Sequence, residues 1–142
     1  MQIRFQHSTK IRVRYGETDQ MGYCYYGNYA QFFEVGRVEA LRAFGMSYRQ
    51  MEAHGVMLPV SDFQVKYLGP AFYDDELTII THITALKGAR LYFEYEVLNP
   101  AGKCISKAST VLVFVAKQNM RPVSPPDDFV ALMKSYEHSG ED

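Results

Sequence analysis

The stretch from Tyr29 to Phe44 most constrains what this chain can fold into. On a 3.6-residue wheel, Tyr29, Phe32, Phe33, Gly36, Ala40, Ala43 and Phe44 share one face, while Gln31, Glu34, Val38 and Arg42 lie opposite. The middle of the apolar face is small, at Gly36 and Ala40, so the helix axis can come close to its partner. A sheet curving round the helix is the expected partner. Asn28 is the expected N-cap and Gly45 the stop. A second short helix fits Ser47 to Ala53, capped by Ser47 and ended by Gly55.

After Gly55 the pattern changes to strands. Val56 to Tyr67 is extended and breaks at Gly69-Pro70; Glu76 to Leu86 follows and ends at Lys87-Gly88. From Arg90 to Leu98 the chain alternates, with Leu91, Phe93, Tyr95 and Val97 on one side and Glu94 and Glu96 on the other. Asn99-Pro100-Ala101-Gly102 reads as a hairpin turn into a strand from Cys104 to Ala116. Residues 111–115 are too apolar for a face open to water, which predicts a central strand buried on both sides or covered by a subunit. Upstream, Ile11 to Tyr15 reads as a short half-buried strand, and Asp127 or Asp128 caps a last helix through Tyr136. The order predicts an α+β fold in which one long central helix is wrapped by an antiparallel β-sheet, as a single domain over 1–142. Such a sheet leaves one face and an edge uncovered, which a homo-oligomer would cover.

A net charge of −1 argues against a nucleic-acid binder. Residues 1–7 hold no apolar stretch of signal-peptide length and no run is long enough to span a bilayer, so a cytoplasmic location is expected. Cys24 and Cys104 lack metal-ligand spacing; two plain thiols and no metal are expected.

The run from Asp19 to Tyr29 carries the candidate chemistry. It sets one carboxylate a short loop ahead of the helix start. Asp19 can act as base or nucleophile toward a carbonyl, and the N–H groups opening the helix can receive the charge that builds on its oxygen. Each residue also has a plain reading. Asp19 suits a turn, Asn28 a cap, Glu17 and Glu34 a solvated surface, Tyr25 and Tyr26 aromatic packing. Gly22 and Gly27 supply backbone freedom.

Tyr15-Gly16-Glu17-Thr18-Asp19-Gln20-Met21-Gly22, Tyr25-Tyr26-Gly27-Asn28-Tyr29, Phe33-Glu34 with Arg37, Tyr67-Leu68-Gly69-Pro70-Ala71 and Arg121-Pro122-Val123 together resemble the hotdog-fold acyl-CoA thioesterases of the 4-hydroxybenzoyl-CoA thioesterase type. The resemblance spans roughly residues 9 to 135. It implies the hotdog fold, hydrolysis of acyl-CoA without a cofactor, and a homodimer or homotetramer with each site at a subunit boundary. It places the loop aspartate on Asp19 and the polarising backbone N–H on Tyr26. Position 26 is Tyr and not His, so the implied chemistry is Asp19 plus backbone. Gly22, Tyr25, Gly27 and Asn28 become substrate-binding candidates, Phe63 a wall of the acyl pocket, and Lys66 and Arg90 partners of the CoA phosphates. A non-catalytic acyl-CoA-binding hotdog protein and a thioesterase acting on acyl carrier protein are the alternatives.

Overall fold

The structure is a computed structural model and describes residues 1–138; the last four residues of the expected domain, 139–142, lie outside it. Helix α1 spans Tyr29–Phe44. A Cβ added to Gly36 would lie 2.7 Å from Thr81 Oγ1 and 2.8 Å from Ile79 Cγ2. Only glycine lets the helix backbone come this close. Gly45 ends α1 with φ +123 and donates its N–H to Leu41 O. Helix α2 (Tyr48–Ala53) begins at a capping box in which Ser47 and Gln50 satisfy each other's backbone N–H groups.

Among the described residues, β1 (Gln2–Arg12), β3 (Val60–Tyr67), β4 (Glu76–Lys87), β5 (Arg90–Leu98) and β6 (Cys104–Val113) form a five-stranded sheet. Its order is β1-β4-β5-β6-β3 and every pairing is antiparallel. Helix α1 lies across β1 and β4. The inward residues of β5 are buried in the alternation that the sequence shows. Phe32, Phe33, Phe93 and Phe114 are wholly buried, each contributing about 1.5–3 kcal/mol of transfer free energy.

Several local expectations shift. The first strand starts at Gln2 and stops at Arg12, and Tyr15 lies instead in a 3-10 turn over Tyr15–Glu17. The expected strand over 56–67 divides at Leu58-Pro59, where proline offers no N–H. Its first part, β2 (Val56–Met57), pairs with β7 (Val115–Ala116) in a separate small sheet. The apolar run 111–115 is therefore shared between two strands, and Val111 and Val113 are only half-buried on the outer face. On α1, Ala43 is exposed, whereas Arg37 and Leu41 are buried. Helix α3 (Asp127–Lys134) follows Pro126 without a side-chain cap; Asp127 and Asp128 occupy its first turn, where the helix dipole favours negative charge. Beyond it, Arg4 N–H bonds Tyr136 O and His138 N–H bonds Gln2 O, so the tail runs beside the start of β1.

Arg37 ties these elements together. Its Nε donates to Tyr48 Oη at 2.8 Å and its Nη1 to Tyr95 Oη at 3.2 Å, and Tyr95 Oη meets Thr110 Oγ1 at 2.7 Å. Burial raises the pKa of both tyrosines, so they stay protonated beside the guanidinium. One cation thus joins α1 to α2, β5 and, through Tyr95, β6.

Candidate active site

The loop between β1 and α1 is closed by its own backbone. Asp19 N–H donates to Tyr23 O at 3.2 Å, Gly22 N–H donates to Asp19 O at 3.0 Å, and Gly22 takes φ +86. Asp19 Oδ1 accepts the Met21 N–H at 2.9 Å. Among the described residues Oδ2 has no hydrogen-bond donor, so one carboxylate oxygen is pinned and the other is open. The loop is moored to the rest of the fold by Cys24 N–H, which bonds Ala71 O at 2.7 Å.

The approach to α1 is a 3-10 turn over Tyr26–Asn28. Asn28 stands at the expected cap position, but with helical φ and ψ and no side-chain cap bond. Its Nδ2 instead donates to Glu17 O at 2.8 Å, and Tyr25 N–H donates to the same oxygen at 2.8 Å. Glu17 is not solvated: the residue is 8% exposed, and its carboxylate takes the Arg14 N–H at 2.7 Å and Arg14 Nη2 at 3.3 Å. Gly27 has a local reason, since a Cβ there would meet Tyr25 Cε2 at 2.5 Å. Neither Tyr26 N–H nor Gly27 N–H has an acceptor among the described residues.

A cavity of about 450 Å³ brings Asp19 and Tyr26 together, along with Met21, Tyr23, Cys24, Tyr29, Tyr67, Gly69 and Pro70. Gly22, Tyr25 and Gly27 belong to the same loop but do not line it. Asn28 lines a neighbouring hollow with Arg14, Gly16, Glu17 and Gln31. Burial first, then the charge of Glu17, pushes the Cys24 thiol up to about 11, against an opposing hydrogen bond from Asn28. The thiol is therefore protonated at neutral pH and is no nucleophile there. Burial likewise raises the Tyr29 hydroxyl.

The structure does not bring Phe63, Lys66 or Arg90 to this cavity. Phe63 faces the helix side of β3 and its ring lies 6.0 Å from that of Phe33. Lys66 points to the opposite side of the sheet from Tyr67 and lines a shallow hollow with Lys107. Arg90 pairs with Val113 and Tyr67 with Ser106, so roughly 23 Å of β6 separates their rows. Glu34 is exposed on α1. Tyr29, Tyr67 and Gly69-Pro70 are cavity residues that sequence reasoning did not assign. The signal for Tyr67 was its place at the end of a strand just before a Gly-Pro break. Among the described residues no group of three or more His, Cys, Asp or Glu converges to hold a metal.

The thioesterase-like superfamily matches residues 13–133, which include the whole loop, α1 and the sheet from β3 to β6. The chain belongs to this superfamily. YneP of Bacillus subtilis is 35% identical over 128 residues, which are 90% of this chain and 93% of that protein. The acyl-CoA thioester hydrolase YbgC of Escherichia coli is 34% identical over 124 residues, 87% of this chain and 92% of YbgC. The DHNA-CoA thioesterase structure from Staphylococcus aureus superposes with a TM-score of 0.88 at 32% identity, covering 92% of this chain and 89% of that one. The hotdog α+β architecture and the thioester-hydrolase class read from the sequence are those of this superfamily. No helix among the described residues is long and apolar enough to cross a membrane.

Proposed function

We propose that this thioester hydrolase acts on acyl-CoA, with Asp19 as the attacking or water-activating carboxylate and the Tyr26 N–H polarising the thioester carbonyl. One observation carries the reading: a single cavity is lined both by Asp19, one of whose carboxylate oxygens is unbonded among the described residues, and by Tyr26 and Tyr29 at the mouth of α1. The names of YbgC and of the Staphylococcus aureus structure support acyl-CoA as the carrier.

Two routes start from the same geometry. In one, Asp19 Oδ2 attacks the carbonyl carbon, the C–S bond breaks, CoA leaves as thiolate, and water later cleaves the acyl anhydride. In the other, Asp19 takes a proton from water, the resulting hydroxide adds to the carbonyl, and collapse of the tetrahedral species expels the thiolate. In both, negative charge builds on the carbonyl oxygen, where an unpaired N–H at a helix start stabilises it. Gly22 and Gly27 keep the backbone path open. Tyr25 and Asn28 support the turn from behind. A homodimer or homotetramer completes the site: β3 is an edge strand with Phe63 and Tyr67 exposed along it. In that assembly Phe63, Lys66 and Arg90 serve substrate bound at a neighbouring subunit.

The test is Asp19→Asn, assayed by free-thiol release from a panel of acyl-CoA thioesters. The variant folds normally and loses at least about a hundredfold in kcat/KM. Turnover at the wild-type level removes Asp19 from the mechanism. Saturable acyl-CoA binding without hydrolysis by the wild-type chain favours the binding-protein reading. A preference for acyl carrier protein changes the carrier and keeps the chemistry.

A further inference from the structure

We infer that Tyr67 is a positioning residue for the 3-10 turn that carries the backbone donor of Tyr26, a role that rests on the hydrolase reading above. Tyr67 ends β3, and its hydroxyl donates to Tyr26 O at 2.8 Å across 41 positions of sequence. The same carbonyl also accepts Tyr29 N–H, the bond that closes the 3-10 turn. One residue earlier, Tyr25 O accepts Asn28 N–H at 3.0 Å and Tyr25 N–H bonds Glu17 O at 2.8 Å. Both peptide planes flanking Tyr26 are therefore held through their carbonyls: the Asn28 bond holds the plane that carries Tyr26 N–H, and the Tyr67 bond holds the plane that carries Gly27 N–H.

Among these ties, Tyr67 is the one that comes from the sheet; the others arise within the loop and the turn. Its ring is set by an edge contact with Tyr29 at 5.1 Å and another with Tyr26 at 6.1 Å. Without the hydroxyl, Tyr26 O keeps only the 3-10 bond, whose geometry is poor. The Tyr26–Gly27 peptide is then free to rotate, and because Tyr26 Cα joins it to the peptide that carries Tyr26 N–H, the donor shifts with the turn. Tyr67 thus fixes the orientation of the turn from the sheet. Burial, with Tyr26 and Cys24 nearby, raises the pKa of Tyr67, so it remains a protonated donor at neutral pH.

The experiment compares Tyr67→Phe with wild type by two readouts. Steady-state hydrolysis of acyl-CoA is expected to lose roughly ten- to hundredfold in kcat with KM within about threefold, because the ring packing stays and only the placement of the donor is lost. Amide hydrogen exchange followed by NMR is expected to speed up at least about tenfold at Asn28 and Tyr29, whose N–H groups close the turn, with the rest of the chain unchanged. Unchanged kcat, a loss confined to KM, or unchanged exchange at Asn28 and Tyr29 each overturns the inference. A wild-type protein inactive on every acyl-CoA refutes the hydrolase reading instead, and the exchange experiment then still decides whether Tyr67 holds the turn.

Discussion

Gly36→Ala tests how closely the helix and sheet approach. The new Cβ would lie 2.7 Å from Thr81 Oγ1 and 2.8 Å from Ile79 Cγ2. Comfortable carbon contacts begin at about 3.5 Å, so the helix or the strand must give by roughly 0.7 Å or more. Thr81 and Ile79 are fully buried and sit on the central part of β4, so neither has solvent to move into. Overpacking of this kind costs up to about 3 kcal/mol. Replacing glycine by alanine within a helix returns about 1 kcal/mol. The net expectation is a loss of about 2 kcal/mol, read as a lower urea midpoint at unchanged m-value and a fall in Tm of roughly 6–8 °C. Thr81→Ala provides the second leg of a cycle. Among the described residues Thr81 Oγ1 has no hydrogen-bond partner, so its removal leaves no donor unpaired. In that background Gly36→Ala should cost at least about 1 kcal/mol less. A Gly36→Ala protein as stable as wild type refutes the close approach, because the helix-propensity gain alone cannot hide a clash at two atoms.

Two further outcomes follow from the candidate site. Asn28→Asp would be neutral at an ordinary N-cap, where both residues accept from the backbone. Here it replaces a donor to Glu17 O with a carboxylate, and a stability loss of about 1–2 kcal/mol by urea titration is expected; a neutral result restores the capping role. Cys24, in a Cys104→Ser background, should be alkylated by iodoacetamide at pH 8 about a hundredfold more slowly than a thiol of pKa 9.0, since its ionisation is delayed to about 11. The rate should rise about tenfold per pH unit and level off only near that value. A plateau by pH 9 would show that burial does not hold the thiol neutral.

The layout of one long helix wrapped by an antiparallel sheet was legible because it rests on local periodicity. The apolar stripe of α1, the small residues at its middle and the strict alternation from Leu91 to Val97 each depend on residues a few positions apart. Turn chemistry at Gly45, Ser47, Gly88 and Asn99-Pro100 marked the boundaries for the same reason. The errors fell where a neighbour distant in sequence decides. Ala43 has the spacing of a core residue but faces water, whereas Arg37 is buried because two tyrosine hydroxyls, one from β5, receive it. Asn28 has the composition of a cap, and Glu17 that of a surface charge, until the loop folds back and joins them.

By itself the sequence determined that a carboxylate precedes a helix start, that this helix packs closely on an antiparallel sheet, and to which superfamily the pattern points. Tertiary structure alone decided which residues share the cavity. The register of β3 against β6 carries Tyr67 to the mouth of α1, while the same sheet turns Lys66 to the other side and sets Arg90 at the far end. The physical reason is the range of the forces involved. Backbone periodicity and capping act within one turn or one strand step. A hydrogen bond spanning 41 residues exists only after the strands have chosen their register.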